Sequence, residues 1–194
     1  MTTTLRGKDL ILLLLYVPGA TGHLLEPIRG RTALQKIVFL FEQELWPSFG
    51  RDSSVDSQLP LFEPFRFGPF SKSLQDDLDF LIGVGYVEVS REGGGQDHDN
   101  VRHVGILAEI LDERPAPALE TDYFLLTPRG KTYVEENLIN RLRNTQKQAL
   151  AEFKKHWAGM DLREMLQYVY EKYPKYAEKS EIRDRILGQN DPFR

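Results

Sequence analysis

The sequence has no cysteine among its 194 residues. This absence excludes disulfide bonds, thiolate zinc sites, a cysteine nucleophile and thiol redox chemistry. It is also usual in the reducing cytoplasm, which is where we expect this chain to act. The rest of the composition, 41% hydrophobic and 28% charged, is that of an ordinary globular protein with enough apolar side chains for a core.

The sequence also lacks an apolar run long enough to cross a bilayer, which takes about 20 residues. The run at residues 10–17 follows Arg6 and Lys8 and therefore resembles a short secretory signal. We favour a buried core helix that Asp9 caps and Pro18-Gly19 ends, because no A-x-A cleavage site follows the run. An export signal is the alternative interpretation. We expect no membrane partner.

The net charge of −4 is unevenly distributed along the chain. Residues 1–72 hold eight basic and seven acidic side chains, residues 73–140 hold five and fourteen, and residues 141–194 hold twelve and eight. The middle segment therefore has a net charge of −9. Domains that read DNA usually place basic residues in their recognition elements, so this distribution disfavours a standard DNA-reading mode.

Two amphipathic helical patterns stand on either side of Phe67-Gly68-Pro69-Phe70-Ser71, a segment typical of a turn. In the first pattern, Thr32 and Gln35 predict a capping box, and the helix is expected to end at Trp46-Pro47. In the second pattern, Ser71 is the expected N-cap. The apolar stripe of the first pattern is Leu34, Ile37, Val38, Phe41 and Leu45, and that of the second is Leu74, Leu78, Leu81 and Ile82.

Strand patterns follow at residues 86–90, 104–111 and 121–126, and a glycine-rich, charged hairpin tip is expected at 91–103. Thr127 then caps a helix that has Pro128 at its first position. This helix could continue to about Trp157, with a break near the middle as the alternative.

Two further helices are expected in the C-terminal part, capped by Asp161 and by Ser180, with Pro174 ending the first. The complete order of helix, turn, helix, strand, long hairpin, strand and helix is that of a winged helix. We therefore predict an α+β fold, mainly helical, with a winged-helix-like core, a β-hairpin wing and C-terminal helices. The winged-helix-like domain covers residues 1–130, with a long wing at about 86–127, and a helical extension at 131–194 packs on it.

Four phenylalanines crowd around Pro64 and Pro69 in this sequence. We expect them to pack on the helices, because aromatic clusters usually belong to a core. A hydrophobic slot for a partner peptide is the alternative. The four residues are Phe62, Phe65, Phe67 and Phe70.

The sequence shows no set of nucleophile, base and orienting residue, so we expect a protein that is not an enzyme. Arg129-Gly130-Lys131-Thr132 resembles a phosphate-binding loop only superficially, because Leu125 stands where its first glycine is required. The imidazoles and carboxylates at residues 93–100 and His103 do not have the spacing of a calcium loop. We therefore expect neither a metal nor another cofactor.

Four motifs together resemble the YwgA family of uncharacterised bacterial and archaeal proteins. They are Leu34-Gln35-Lys36-Ile37, Phe67-Gly68-Pro69-Phe70-Ser71, Leu126-Thr127-Pro128-Arg129-Gly130 and Tyr173-Pro174-Lys175-Tyr176-Ala177-Glu178-Lys179-Ser180. That family is similar in turn to the SocA-like, or Panacea, antitoxin domains, which share a Leu-Gln-Lys helix and a Gly-Pro turn. The resemblance covers about residues 8–187. It implies an antitoxin-type protein that acts by contact with a protein partner, and it implies no catalytic residue.

The leading hypothesis is therefore a cytoplasmic regulator that binds a protein, such as a toxin encoded nearby. The expected contacts lie on the exposed face of the second amphipathic helix and in the tyrosine-rich, basic C-terminal part. Asp76 and Asp77 are also explained as favourable charges near the N-terminus of that helix. The candidate residues are Lys72, Gln75, Asp76, Asp79, Tyr170 and Tyr176.

A sequence-specific DNA-binding transcriptional regulator, acting as a homodimer, is the alternative. It predicts that basic and amide side chains near the turn and near the last helix N-terminus face the phosphates and bases. The candidate DNA contacts are Arg66, Lys72, Gln75, Arg129 and Lys131.

Overall fold

A computed structural model describes residues 3–49, 55–92 and 121–188, with side chains for residues 5–49, 58–90 and 122–188. Helices dominate the described part, so the prediction of a mainly helical α+β protein is confirmed. The helices are α1 (Gly7–Tyr16), α2 (Arg31–Leu40), α3 (Trp46–Phe49), α4 (Lys72–Gly83), α5 (Pro128–Asn137), α6 (Asn144–Ala158), α7 (Leu162–Lys172), α8 (Pro174–Ala177) and α9 (Arg183–Ile186).

The strands form three small sheets. A parallel pair joins β1 to β3, and an antiparallel hairpin joins β4 to β5. The third sheet is antiparallel and has the order β2, β7, β6. The strands are β1 (Thr3–Arg6), β2 (Ile28–Arg29), β3 (Val55–Gln58), β4 (Glu63–Phe65), β5 (Gly68–Phe70), β6 (Val87–Glu92) and β7 (Thr121–Leu126).

Helix α1 lies in the core, as its all-round apolar sequence predicts. Every side chain from Leu10 to Leu15 is at most 1% exposed. The predicted cap is wrong by one turn, because the helix begins at Gly7 and Arg6 is the N-cap. Asp9 is instead the third helical residue, and its Oδ2 accepts a hydrogen bond from the Arg6 N–H at 3.2 Å.

Helix α2 departs from the sequence prediction at both ends. Gly30, at φ +80°, precedes its first residue, and Thr32 and Gln35 form no capping box because the amide of Gln35 bonds elsewhere. A π-helical turn, Phe41–Leu45, then leads directly into α3. Pro47 is tolerated in α3 because the π turn interrupts the α-helical hydrogen bonding just before it. The helical path therefore reaches Phe49, beyond the predicted end.

Helix α4 follows its sequence pattern closely. Ser71 is the N-cap, and its Oγ accepts a hydrogen bond from the Leu74 N–H at 3.3 Å. The predicted stripe faces the core: Leu74, Leu78 and Leu81 are buried, whereas Ile82 is half-buried.

Strands β6 and β7 confirm the two strands predicted at the base of the wing. They pair from Val87 with Leu126 to Glu92 with Thr121. Residues 91 and 92, the first two of the predicted tip, instead continue β6. The rest of the tip and the third strand candidate, at residues 104–111, lie outside the described residues.

The cap predicted after β7 is also confirmed. The Thr127 Oγ1 accepts a hydrogen bond from the Gly130 N–H at 3.0 Å, with Pro128 as the first residue of α5. The predicted alternative of a break is correct, since a 3₁₀ turn, Ile139–Arg141, separates α5 from α6.

The remaining C-terminal caps agree in part with the sequence. Asp161 caps α7, with its Oδ1 accepting from the Arg163 N–H at 2.8 Å. Ser180 does not cap α9, because that helix begins only at Arg183 and its N-cap is Ile182.

Gly130 provides a test of how closely α5 packs against the turn after α4. A Cβ atom at this position would lie 2.1 Å from the Tyr86 carbonyl oxygen, which is a backbone atom and cannot move aside alone. We expect Gly130→Ala to lower the free energy of unfolding by about 1–3 kcal/mol, measured by urea denaturation.

The matched control is Gly83→Ala in the last turn of α4, where an added Cβ meets nothing within 4 Å. Alanine should there be neutral or stabilising by about 0.5–1 kcal/mol. Equal destabilisation by both substitutions would contradict the packing described for Gly130.

Candidate functional site

Two of the sequence motifs meet at the start of α4. The Gln35 Oε1 accepts a hydrogen bond from the Ser71 N–H at 2.9 Å, and its Nε2 donates to the Ser71 carbonyl at 3.0 Å. The neighbouring Lys36 Nζ donates to the Pro69 carbonyl at 2.9 Å. We call Gln35, Lys36 and residues 69–71 the α4 clamp. The clamp fixes the position of the first turn of α4, because it bonds three backbone groups of residues 69–71.

The ammonium of Lys36 is the most unusual group in the clamp. The residue is only 2% exposed, and no ion pair to it is found among the described side chains. Burial lowers the pKa of Lys36 to about 7, since the interior solvates a charge poorly. Such a group requires a hydrogen-bond acceptor in the interior, and the Pro69 carbonyl provides it.

The C-terminal helices also contact this turn. Gly68 has φ +85°, and a Cβ there would lie 2.7 Å from the Tyr170 Cε1. The Tyr170 hydroxyl lies 2.8 Å from the Ser180 Oγ, and the Glu181 N–H donates to the Arg66 carbonyl at 2.9 Å. The motif that ends at Ser180 therefore packs against the Gly-Pro turn.

The prediction that Tyr170 contacts a partner is wrong, because this packing buries the residue. Tyr170 is 1% exposed, and burial raises its pKa to about 12. It is a core residue because it occupies the space that Gly68 leaves open. Tyr176 is half-buried, with its ring 4.7 Å from that of Phe39.

The third motif holds the end of α4. The Thr127 Oγ1 donates to the Gly85 carbonyl at 2.7 Å, and the Arg129 guanidinium donates to the Val84 carbonyl at 2.8 Å. The Arg129 guanidinium also lies 5.0 Å from the centre of the Tyr86 ring. Both ends of α4 are thus held by residues that the sequence analysis singled out as motifs.

Between these two ends, α4 presents the face predicted to meet a partner. Lys72 forms an ion pair with Asp76, one turn along the helix. The Gln75 Nε2 donates to Asp79 at 3.1 Å, and the Arg31 guanidinium pairs with the same carboxylate at 2.7 Å. Lys72, Asp76 and Asp79 are exposed and Gln75 is half-buried, so the four predicted residues do lie together.

The predicted DNA contacts are spread over both ends of α4 and the β4–β5 hairpin. Arg129 lies at the C-terminal end of α4, whereas Lys72 lies at its N-terminal end, and twelve helical residues span about 18 Å. Arg66 pairs with Glu181 at 3.2 Å, and Lys131 lies 3.8 Å from Glu135. Each of the four cations therefore already has an acceptor within the chain.

Phe80 is an exposed residue of the α4 face that the sequence analysis missed. It is 50% exposed. Phe80 follows Asp76 by four residues, so the two side chains lie on the same face of the helix. The Lys8 ammonium lies 4.2 Å from the centre of its ring and 3.7 Å from the Asp77 carboxylate. The helical spacing alone could have identified Phe80 as solvent-facing.

The interleaved tyrosines and lysines of α7 turn toward a carboxylate that the sequence analysis did not consider. The Glu44 Oε1 accepts hydrogen bonds from Tyr168 at 2.8 Å, from Tyr173 at 3.0 Å and from Lys172 at 3.0 Å. Burial and the charge of Glu44 raise the pKa of Tyr173 to about 12. Hydrogen bonds to Tyr168 and Glu44 raise the pKa of Lys172. This cluster attaches α7 to the π turn of Phe41–Leu45.

The phenylalanine cluster is packed on the helices only in part. The Phe62 ring lies edge-on to that of Phe39 at 5.4 Å, as a core contact requires. Phe65 and Phe70 instead contact each other at 5.0 Å, and Phe65 is 44% exposed. The expected packing is therefore confirmed for Phe62 and Phe67, which lie against the core, whereas the slot for a partner peptide stays a prediction.

Within residues 3–49, 55–92 and 121–188, no group of three or more histidines and carboxylates could hold a metal ion. The histidines of the hairpin tip, His98 and His103, lie outside these ranges. No helix of the described part is long and apolar enough to cross a membrane.

Comparison with known proteins gives no relative. No family model, no curated protein and no solved structure matches the chain. The resemblance to the YwgA and Panacea families therefore stays a prediction.

The buried ammonium of Lys36 leads to a pH prediction. Its pKa is about 7 in the folded chain, against an ordinary value of 10.5. The unfolded state therefore holds more protons between these pH values, so this group makes stability rise with pH through the window from 7 to 10.5. We expect Lys36→Met to reduce that slope, by at most about 1.4 kcal/mol per pH unit, in urea denaturation at pH 7 to 10.

Lys155→Met, at an exposed position of α6, is the control and should leave the slope as in the unchanged protein. Lys154 contributes in the same direction, because burial lowers its pKa to about 8, so part of the slope should persist in Lys36→Met. An unchanged slope in Lys36→Met would refute the prediction.

Proposed function

We propose that this chain is a non-enzymatic, winged-helix-like regulatory protein that binds a protein partner through the exposed face of α4. The observation that carries the proposal is that the charged side chains on that face form ion pairs within the chain. Each is compensated within the chain, Lys72 by Asp76 and Asp79 by Arg31. Such a face offers little free positive charge to a phosphate backbone, whereas a protein surface requires none.

The order of the elements supports the winged-helix-like part of the proposal. Helix α1, strand β2, helices α2 and α4, and strands β6 and β7 follow one another, and β7 lies between β2 and β6. Helix α4 takes the place of the recognition helix in that order. The β3 strand and the β4–β5 hairpin are inserted between α2 and α4.

The kind of partner follows from the resemblance to antitoxin domains. We infer an antitoxin-type or defence-associated regulator of the cytoplasm whose partner is a protein, such as a toxin encoded nearby. The motifs that carry the resemblance form the supports of α4 rather than its outer face. We infer that the motif residues maintain a scaffold shared by the family, whereas the residues on the outer face of α4 determine which partner is bound.

A DNA-binding transcriptional regulator is the second candidate, favoured by the same order of elements. It requires Lys72, Arg66, Arg129 and Lys131 to exchange their internal acceptors for phosphates. Its affinity would then fall linearly with the logarithm of salt concentration, in proportion to the number of phosphate contacts.

The decisive experiment is native purification of the tagged protein from its host, with and without nuclease. We expect a near-stoichiometric protein that stays bound after nuclease treatment. A defined DNA segment that is lost on nuclease treatment would instead identify the DNA-binding candidate.

Charge reversal tests the surface itself. We expect Asp76→Lys combined with Asp79→Lys to weaken partner binding by tenfold or more, measured by calorimetry, because both carboxylates lie on the proposed contact. The control is Glu136→Lys combined with Glu178→Lys, which makes the same change of charge at exposed positions of α5 and the segment after α8. Equal affinity in both double variants would show that the face of α4 is not the contact.

A further inference from the structure

Among the half-buried carboxylates of the described part, Glu42 is the one that has neither a hydrogen bond nor a cation. It lies in the π-helical turn Phe41–Leu45, a kind of turn that is frequent at functional sites. Burial raises the pKa of Glu42, and no nearby charge opposes this shift. Burial also raises the pKa of Asp77, but there the Lys8 ammonium opposes it.

The Tyr176 side chain provides a second polar group beside Glu42. Its ring packs on the Phe39 ring at 4.7 Å, and Phe39 precedes Glu42 by three residues on the same helical path. The two groups are close, because the charge of Glu42 adds to burial in raising the pKa of Tyr176. No hydrogen bond joins them, and the hydroxyl of the half-buried Tyr176 has no partner among the described side chains.

The neighbouring carboxylate of the same turn shows what Glu42 lacks. The Glu44 Oε1 accepts hydrogen bonds from two tyrosines and from the Lys172 ammonium at 3.0 Å. Lys172 is therefore already bound, and its charge has no effect on Glu42. Partly buried polar groups normally have a partner, so the partner of Glu42 and Tyr176 has to come from outside the chain.

We propose that Glu42 and Tyr176 form a binding site for an organic cation, namely a guanidinium group. The two carboxylate oxygens of Glu42 accept two parallel N–H groups, and the Tyr176 oxygen accepts a third. This site goes beyond the proposed function, since it lies on the π turn after α2 and on α8 rather than on α4.

The chemistry of the two side chains selects this class of ligand. An anion is repelled by the carboxylate. A calcium or magnesium ion takes about six or more oxygen ligands, more than one carboxylate and one phenol supply. A guanidinium is planar, binds a carboxylate through two hydrogen bonds and is weakly hydrated, so it loses less than an ammonium when an aromatic surface covers it. The Tyr176 ring provides that surface.

The test is a titration of the isotope-labelled full chain, followed by NMR. The probe is N-acetyl-arginine amide, and its neutral isostere N-acetyl-citrulline amide is the control. We expect the arginine probe to shift the amide signals around Glu42 and Tyr176, with an affinity at least tenfold above that of the citrulline probe. Equal affinities, shifts confined to other residues or no saturable shift would overturn the proposal.

Variants of the chain test the two residues. We expect Glu42→Gln to weaken binding of the arginine probe at least tenfold and Tyr176→Phe at least threefold. The matched control is Glu136→Gln at an exposed position of α5, which should change the affinity less than twofold. Unchanged affinity in Glu42→Gln would refute the site.

Stability without any probe gives an independent measurement. Glu42→Gln replaces a half-buried charge that has no partner by a neutral amide of the same shape, so the midpoint of urea unfolding at pH 7 should rise. Glu136→Gln should leave the midpoint unchanged. A lower midpoint in Glu42→Gln would mean that the carboxylate supports the fold, which contradicts a binding role.

Native mass spectrometry of the chain purified from its host separates the two sources of a guanidinium. A free guanidino compound adds a small mass to the single chain, whereas an arginine of a bound protein gives a larger complex. Either species supports the proposal if it is lost in Glu42→Gln and kept in Glu136→Gln, and a species kept in both contradicts it.

Discussion

The hydrogen bond from Lys36 to the Pro69 carbonyl is the constraint on which the arrangement around α4 depends. A buried ammonium without a carboxylate partner is costly, so it can persist only where an acceptor is held firmly in place. Gln35 holds that place from the neighbouring position, since its amide bonds both the N–H and the carbonyl of Ser71. Loss of either side chain leaves buried polar groups of the turn unsatisfied, which couples α2 to the first turn of α4.

A second buried lysine of the protein also donates its hydrogen bonds to backbone carbonyls. Lys154 of α6 is completely buried, and its ammonium donates to the Val17 carbonyl at 2.8 Å and to the Glu26 carbonyl at 2.7 Å. In both places a lysine satisfies buried backbone carbonyls: Lys36 that of Pro69 in the short strand β5, and Lys154 those of Val17 and Glu26 between α1 and β2. Lysine suits this role because its long stem crosses the apolar layer before the ammonium meets its acceptors. The two lysines thus supply hydrogen bonds to backbone carbonyls at two points of the fold.

The sequence predicted those features that depend on neighbouring residues. The caps at Ser71, Thr127 and Asp161 were found because a cap and its amide are at most three residues apart. Gln35 was misassigned to a capping box because its actual partner lies 36 residues away. Glu44 was missed because Tyr168 is 124 residues distant, and Tyr170 was misassigned because only the fold places it against Gly68. Phe80 differs from these, since helical spacing alone would have shown its exposure.

The supports of α4 also favour its outer face as the proposed partner contact. A helix held only by its apolar stripe loses entropy when a partner orders it, and that loss subtracts from the affinity. Here Gln35 and Lys36 hold the first turn, and Thr127 and Arg129 hold the residues after the last. The C-terminal helices contribute as well, because Tyr170 packs against Gly68 in the turn before α4. The outer face of α4 is therefore pre-organised, so a partner that covers it gains the burial of apolar area without first having to order the helix.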